Sequence, residues 1–513
     1  DALDIEFAIT NNGIKIFQVR PLTTMQKSRI LDTGSIIETE IKNNQKKFLE
    51  SKLQKDLVGN KIIFSNMTDW NPAEIIGDSP NKLDYSLYDY LIMKNSWSIG
   101  RAILGYRKIK NISLMKEFSG KPYVDVKASF NSLLPSEINE QTRKKLINFF
   151  LKKLEDNPHL HDKAEFEILF TCYDFSINKK LKELIKNGFT SRELLIFKKK
   201  LLEFTNELIH KSPRLLEHTD HLLSKLEKKR KSIKNRKVRT NKYLNELYDA
   251  ESLLTDCKKY GTIPFVTIAR LAFIGNILLK ELTVNSYIKD HEIKKFMNSI
   301  STPVTEFQED LFYLKTKKIS KNEFLEKYGH LRPGTYDIMV HRYDKTEEFL
   351  ENLKILKTVK PAKKEHYQRN IEHILKRYGL RFDSMDFFEF VRETTTLREK
   401  SKFEFTKNLS YSIELIAKAG ERLGFTREEL SNLELKDIMK FKTLKKNELI
   451  DFWHKKIVQN KKKKLISNHT QLPPIIFSKN DFQVIHHYIA KPNYITKKET
   501  TAEKLILTNM KNL

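Results

Sequence analysis

The chain has 513 residues, too many for one ordinary domain at about 100 to 200 residues each. Its make-up, 39% hydrophobic and 31% charged with 15 Gly and 14 Pro, excludes a disordered or fibrous chain and favours helix. A formal charge of +28 would suit nucleic acid, since Lys and Arg displace counterions from phosphate, but no binding-module signature accompanies it. The abundance of Lys, Ile and Asn reads instead as compositional drift on solvated helix faces, so no nucleic-acid partner is expected. Cys172 and Cys257 are the two cysteines, without zinc-ligand spacing, which suits a reducing cytoplasm. No run of about 18 apolar residues marks a membrane span, and the N-terminus lacks a basic and apolar leader. A soluble cytoplasmic protein without a membrane partner is expected, its natural N-terminus upstream of Asp1.

Residues 1–24 alternate as IEFAI, NNG and IKIFQV, a β-hairpin pattern with its turn at Asn11, Asn12 and Gly13. A lone hairpin is marginal in water, so the rest of its sheet is expected elsewhere in a longer polypeptide. Residues 25–60 read as a linking helix. The segment KIIFSNMTDWNPAEIIGDSPNKLDYSLYDYLI mixes aromatics with Asn, Asp, Pro and Gly and reads as a structured, buried loop. Residues 136–260 are expected to be almost wholly helical, each helix with an apolar stripe and a charged face. The basic block KLEKKRKSIKNRKVR reads as a solvated helix face or connector. A further apolar helix is expected over 264–282, and EKYGHLRPGTYDI breaks the helical rhythm with Gly329, Pro333 and Gly334. A helix over 408–422 should stop at Gly424, and the stretch from PPIIFSKNDF onward reads as extended.

On chemistry alone, Glu6, Gln18 and Arg20 on facing strands suit a magnesium ion plus polyphosphate, carboxylate and carboxamide oxygens holding the ion while a guanidinium neutralises phosphate. An ordinary hairpin explains them too. In WNPAEIIG, Trp70 offers a wall, Asn71 a donor and acceptor, and Glu74 an anion, while Asn71 also suits the cap of a helix starting at Pro72. In PYVDVKASFNSLLP, alternation puts Asp125, Lys127 and Ser129 on one strand face, a polar-pocket lining that flanking Tyr123, Phe130 and Leu133 favour over a solvent face. HLHDKAEFEI supplies His159, His161, Asp162, Lys163, Glu165 and Glu167. The H-x-H spacing could hold a metal, but no third His or Cys stands at supporting distance in sequence, and a helix starting at Asp162 with acids in its first turns explains the same residues. YGHLRPGTYDI combines His330, Arg332 and Asp337 with a turn that admits a ligand, and His330 is suited to acid or base work near pH 7.

The DIE of the hairpin followed by QVRP resembles the closing hairpin of the ATP-grasp nucleotide domain in phosphoenolpyruvate synthases, pyruvate phosphate dikinases and rifampin phosphotransferases. MTDWNPAEIIG, SLYDYLI, GYRKI, PYVDVKASFNSLLP, NPHLHDKAEFEI, EKYGHLRPGTYDI and FTKNLS are similar, in order, to the segment that follows that domain in the barrel-free subgroup. The resemblance implies ATP and Mg2+ as cofactors, Glu6 and Gln18 as magnesium ligands, and Arg20 as a contact to nucleotide phosphate. It implies His330 and Arg332 as catalytic residues, with Trp70, Asn71, Glu74, Arg101, Asp125, Lys127, Ser129, His161 and Asp337 around the acceptor. The implied fold is mainly α-helical with small β elements: an ATP-grasp hairpin at 1–24, a linking helix at 25–60, a helix-rich acceptor domain at 61–470, and an extended linker at 471–513 toward a phosphohistidine domain. The implied reaction passes phosphate from ATP through a swivelling phosphohistidine to a small-molecule acceptor, giving AMP and phosphate, and the chain alone is expected not to turn over. The acceptor expected is a metabolite such as the glutamine amide in capsule or surface-polysaccharide synthesis, with pyruvate as the alternative. A basic helical protein that binds nucleic acid or membrane is the competing class.

Overall fold

Apolar residues recurring every three or four positions dominate the chain, and in a computed structural model it is mainly helical with two small sheets. The structure describes residues 3–10, 13–21, 34–51, 56–235, 241–346 and 371–483. Strands β1 (Leu3–Thr10) and β2 (Gly13–Pro21) pair antiparallel as a sheet of their own, as the alternation predicts. Glu6 is the register partner of Gln18 and Asp4 that of Arg20, with a bulge after Glu6. The side chains of Glu6, Gln18 and Arg20 lie outside the described residues.

The second sheet has the order β4-β5-β3-β6, formed by β3 (Phe64–Ser65), β4 (Met115–Phe118), β5 (Lys121–Asp125) and β6 (Ile475–Ile476), all paired antiparallel. Two expectations change here. The segment expected as a linking helix contains α1 (Gly34–Glu50), which is part of the central body: Phe48 packs with Phe64 and Phe482, and Asn44 donates to Ser119 Oγ at 2.7 Å. The stretch after 471, expected as a linker, returns to the same sheet through β6, and Tyr123 Oη donates to the Pro473 carbonyl at 2.7 Å. Burial of Ile475, Ile476 and Phe482 is the reason, because apolar side chains leave water wherever a matching surface exists.

Helices follow as α2 (Pro72–Ile76), α3 (Ser96–Ile103), α4 (Val126–Asn131), α5 (Glu140–Asp156), α6 (Ala164–Glu167), α7 (Ser191–Lys234), α8 (Lys242–Asp256), α9 (Ile263–Val284), α10 (Pro303–Lys315), α11 (Lys321–Tyr328), α12 (Ser384–Arg422) and α13 (Lys446–His469). The helix expected over 408–422 is the end of α12, and Gly424 follows it at φ +88°, the left-handed conformation that glycine adopts without penalty. The basic block lies at the end of α7, where Arg230 turns inward to Asn408 Oδ1 at 2.7 Å and Glu404 Oε2 at 3.1 Å while Lys228 and Lys231 stay exposed.

Helices α8 and α9 run together as one helix, Lys242–Val284, through a π-helical turn at Cys257–Thr262. Its most apolar 18-residue window has a mean hydropathy of 1.7, enough for a membrane span by composition, but 83% of that window is buried inside the protein. Ile268 and Leu271 belong to one large apolar cluster and Phe265 and Ala269 to another, so α9 is apolar on every side because it separates two cores. A second π turn, Asp89–Met93, lies against the first: Thr262 Oγ1 donates to the Leu91 carbonyl at 2.7 Å, and Lys258 Nζ to those of Tyr90 and Lys94 at 2.6 and 2.9 Å.

Candidate functional site

Between the loop before α2, helices α3, α6, α9 and α12, and the 333–336 turn lies a cavity of about 510 Å³. Its entrance loop is strained: Asp69 and Asn71 both have positive φ, 66° and 41°, a conformation that non-glycine residues hold only when their surroundings enforce it. Tyr88 Oη donates to the Trp70 carbonyl at 2.5 Å, and Asn71 Nδ2 donates to Glu74 Oε2 at 3.0 Å. Pro72 stands at the first turn of α2, as expected, but Asn71 makes no side-chain cap: it lies in the left-handed conformation, φ 41°, rather than the extended one from which a capping side chain reaches back. The Trp70 ring rests 6.0 Å from that of Phe265, and its indole Nε1 is buried without a partner among the described residues.

Two buried ion pairs form the polar wall. Arg101 is paired with Asp69 and donates to Ser132 Oγ at 2.7 Å, while Ser129 Oγ donates to the other Asp69 oxygen at 2.5 Å. Arg270 is paired with Glu165, donates to Thr171 Oγ1 and reaches Tyr106 Oη at 3.3 Å. The Arg101 guanidinium also lies over the Trp70 and Trp97 rings at 6.0 and 5.8 Å, a cation–π arrangement that strengthens where water is excluded. Glu165 meets Asp69 as well. Burial first, then the Asp69 charge and a hydrogen bond between the two carboxyl groups, raise the Glu165 carboxyl to about 7 against the pull of Arg270 and Arg101. Burial alone would lower the Arg270 affinity for its proton, but Tyr106 and Glu165 outweigh it and hold it raised. Arg398 and Lys402 of α12 complete the lining.

While Glu165 holds its proton, it does not neutralise the Arg270 guanidinium it is paired with, which favours an anionic occupant beside this low-dielectric wall. A planar anionic group suits such a wall. Above the Glu165 transition the same carboxyl can take a proton from a bound N–H or O–H. Among the described residues no group of three or more His, Cys, Asp and Glu side chains is arranged to hold a metal ion.

Of the residues singled out by sequence, Trp70, Asn71, Glu74 and Arg101 line this cavity, and Ser129 joins it through Asp69. His161 stands behind the entrance loop, its Nδ1 2.8 Å from Ser65 Oγ, and its carbonyl accepts from Thr68 at 2.6 Å. Asp125, Lys127 and Ser129 do not share a strand face. β5 ends at Asp125, which accepts from the Ala128 amide at 3.0 Å and caps α4; an N-cap carboxylate outweighs short-range alternation. Lys127 is buried apart from the cavity, and burial lowers its proton affinity. His330 and Arg332 line a neighbouring cavity. Burial, then Lys407, Arg342 and Arg230, push His330 down to about 2, a direction that does not favour the acid or base role expected of it near pH 7. Arg332 is a strut, donating to the carbonyls of Asp337, Val340 and Ser410 and to Glu414 at 3.0 to 3.2 Å. Asp337 accepts from the Met339 amide at 2.7 Å and shapes its own loop.

Two residues of this wall carry little signal in the sequence: Arg270 is a lone Arg inside IPFVTIARLAFIG, and Asp69 is one acid within MTDWNPAEIIG. The sequence pattern around Glu165 predicts an acid in the first turns of a helix. The helix is there, as α6, beginning at Ala164 rather than Asp162, but the carboxyl turns inward to Arg270. Comparison of the sequence with protein-family models and with curated proteins gave no match.

Proposed function

We propose that this cavity is the acceptor site of an ATP-dependent phosphotransferase of the phosphoenolpyruvate synthase and dikinase type. The observation that carries the reading is the buried pairing of Arg101 with Asp69 and of Arg270 with Glu165 on one wall of a 510 Å³ cavity. Phosphoryl transfer depends mainly on positioning and charge neutralisation, and this wall supplies both. Arg101 and Arg270 hold the acceptor's anionic group and the incoming phosphoryl oxygens. Glu165 takes the proton released when the acceptor's N–H or O–H becomes bonded to phosphorus. Trp70 and Phe265 exclude water that would otherwise compete as acceptor.

ATP supplies the phosphoryl group, carried to the acceptor by a phosphohistidine on a separate domain of a longer cytoplasmic polypeptide. Glu6 and Gln18 would hold Mg2+ at the nucleotide site, with Arg20 on phosphate; their support is that Glu6 and Gln18 are direct register partners. A small amino-acid-like acceptor such as glutamine, with an anionic end and an amide, suits the charge pattern and the capsule-related role that the resemblance implies.

The test is acceptor-dependent formation of AMP and phosphate by the complete enzyme, screened over glutamine, pyruvate and related metabolites. Arg270→Lys, which cannot reproduce the guanidinium fork, should lower acceptor turnover by about 100-fold while leaving ATP-dependent phosphorylation of the enzyme itself in place. Unchanged acceptor turnover in a folded Arg270→Lys enzyme would remove the reading.

A further inference from the structure

A second cavity of about 290 Å³, near the lower end of the ~300–1,000 Å³ that small-molecule sites span, lies beside the polar one. It is enclosed by α10, α11, the turn after α11 and α12, and Phe307, Tyr328, Leu331, Tyr343 and Phe403 give it mostly carbon walls. Two of the rings meet edge to face, Phe307 against Tyr328 at 4.9 Å. Thr335, Lys402 and Thr406 line both cavities, so the two share one wall.

Most polar groups around this space are already matched. Tyr328 directs its hydroxyl to Asp310 Oδ2 at 2.7 Å, Thr406 Oγ1 donates to the Phe403 carbonyl at 2.8 Å, and Ser410 Oγ donates to the His330 carbonyl at 2.6 Å. The Glu399 carboxylate is paired with Arg398 at 3.1 Å. The terminal nitrogens of Arg332 are committed to the carbonyls and the carboxylate already described. Of the His330 ring nitrogens, one is hydrogen-bonded to the Lys327 backbone and Nε2 is closed off from the cavity. Burial raises the Tyr343 phenol, which keeps that ring neutral. The groups left over stand on the shared wall: among the described residues, the Thr335 hydroxyl and the Lys402 ammonium have neither a hydrogen-bond nor an ion-pair partner. Lys402 is exposed, a cation on a flexible stem that can turn toward an occupant of the cavity.

We propose that the second cavity binds a compact aromatic carboxylate of the arylalkanoate class, its ring among Phe307, Tyr328 and Phe403 and its carboxylate on Lys402 at the shared wall. Carbon walls with edge-to-face rings favour an aromatic body. Because the inner polar groups are matched, a further polar substituent on that ring would be desolvated without gaining a partner. The cation and the hydroxyl on one side set the polarity of the ligand. Carboxylate oxygens accept from both, whereas an amine would meet Lys402 as a like charge. The assignment stands whether or not the polar cavity serves phosphoryl transfer.

The experiment titrates the whole chain calorimetrically with 3-phenylpropionate, with 3-phenylpropionamide, which keeps the shape without the charge, and with propionate, which lacks the ring. The aromatic carboxylate should bind saturably and about twofold to fivefold more tightly than its amide, the range an exposed ion pair supplies. Added salt should shrink that difference. Propionate should not saturate over the same range. Lys402→Met keeps the stem and removes the charge, so it should equalise the two aromatic probes, and the exposed position spares the fold. Val304, 64% exposed, lines this cavity but not the polar one, and Val304→Trp should block both aromatic probes. Absence of saturable 3-phenylpropionate binding, propionate binding as tightly, a carboxylate preference that survives in Lys402→Met, or titrations unchanged in Val304→Trp each overturns the assignment.

Discussion

Arg270 is buried in the apolar helix α9, and its guanidinium stays there because Glu165, Thr171 and Tyr106 meet it. The Glu165 carboxyl carries a testable pH signature. Its folded value, about 7, lies above the ordinary carboxylate range, so between about pH 4.5 and 7 the folded protein holds a proton that the unfolded chain has lost. Stability should therefore fall as pH rises through that window and level off above it, by up to about 1.4 kcal/mol per pH unit. Glu165→Gln should flatten this limb in urea titrations run across the window. His330 has the opposite sign. Its value is depressed to about 2, so the unfolded chain takes up a proton first, and stability should fall as pH drops below about 6.5. That acid limb should be missing in His330→Phe. Arg332→Met should cost about 2–4 kcal/mol, through three carbonyls and Glu414 losing their donor, while acceptor KM in the folded enzyme stays unchanged. A KM shift comparable to that of an Arg101 variant would instead place Arg332 in the acceptor site.

Helices α3 and α9 pack closely at Gly100. A Cβ on Gly100 would lie 2.6 Å from Val266 Cγ1 and 3.0 Å from the Ile263 carbonyl, so only glycine lets the two helices approach here. Gly100→Ala should destabilise by about 1–3 kcal/mol and, by displacing the adjacent Arg101, weaken acceptor binding; an increase in melting temperature would refute the packing argument. The paired π turns serve the same region. Such turns widen a helix locally and recur near functional sites, and these two are tied by Thr262 to Leu91 and by Lys258 to Tyr90 and Lys94. Thr262→Val keeps the shape and removes the hydroxyl, leaving the Leu91 carbonyl without that donor, and should cost about 1–3 kcal/mol. Urea midpoints at constant slope would measure it.

At the scale of the whole molecule, the chain closes on itself. β6 completes the sheet begun by β3, and Phe482 enters the aromatic cluster with Phe48, Phe64 and Phe118. Truncation after residue 471 removes Ile475, Ile476 and Phe482, each buried and each worth about 1.5–3 kcal/mol. The truncated protein should lose several kcal/mol of stability, read as a lower melting temperature; an unchanged melt would make the stretch a dispensable tail. The positive charge is likewise distributed by the fold, with Arg101, Arg230, Arg270 and Arg332 buried on carboxylates and Lys228 and Lys231 left in solvent.

Local physics made much of this legible in the sequence alone. Helical periodicity, hairpin alternation and the glycine after α12 each depend on neighbours within a few residues, and the structure bears them out. WNPAEIIG and Arg101 also stood out, and they do line the polar cavity. Tertiary structure alone decided which charges meet. Asp69, Arg101, Glu165 and Arg270 converge from four separate elements, and no spacing within the chain encodes that. It also decided that Asp125 caps a helix, that His330 is buried and Arg332 a strut, because burial and the partners supplied by distant segments set what a charged or polar side chain can do.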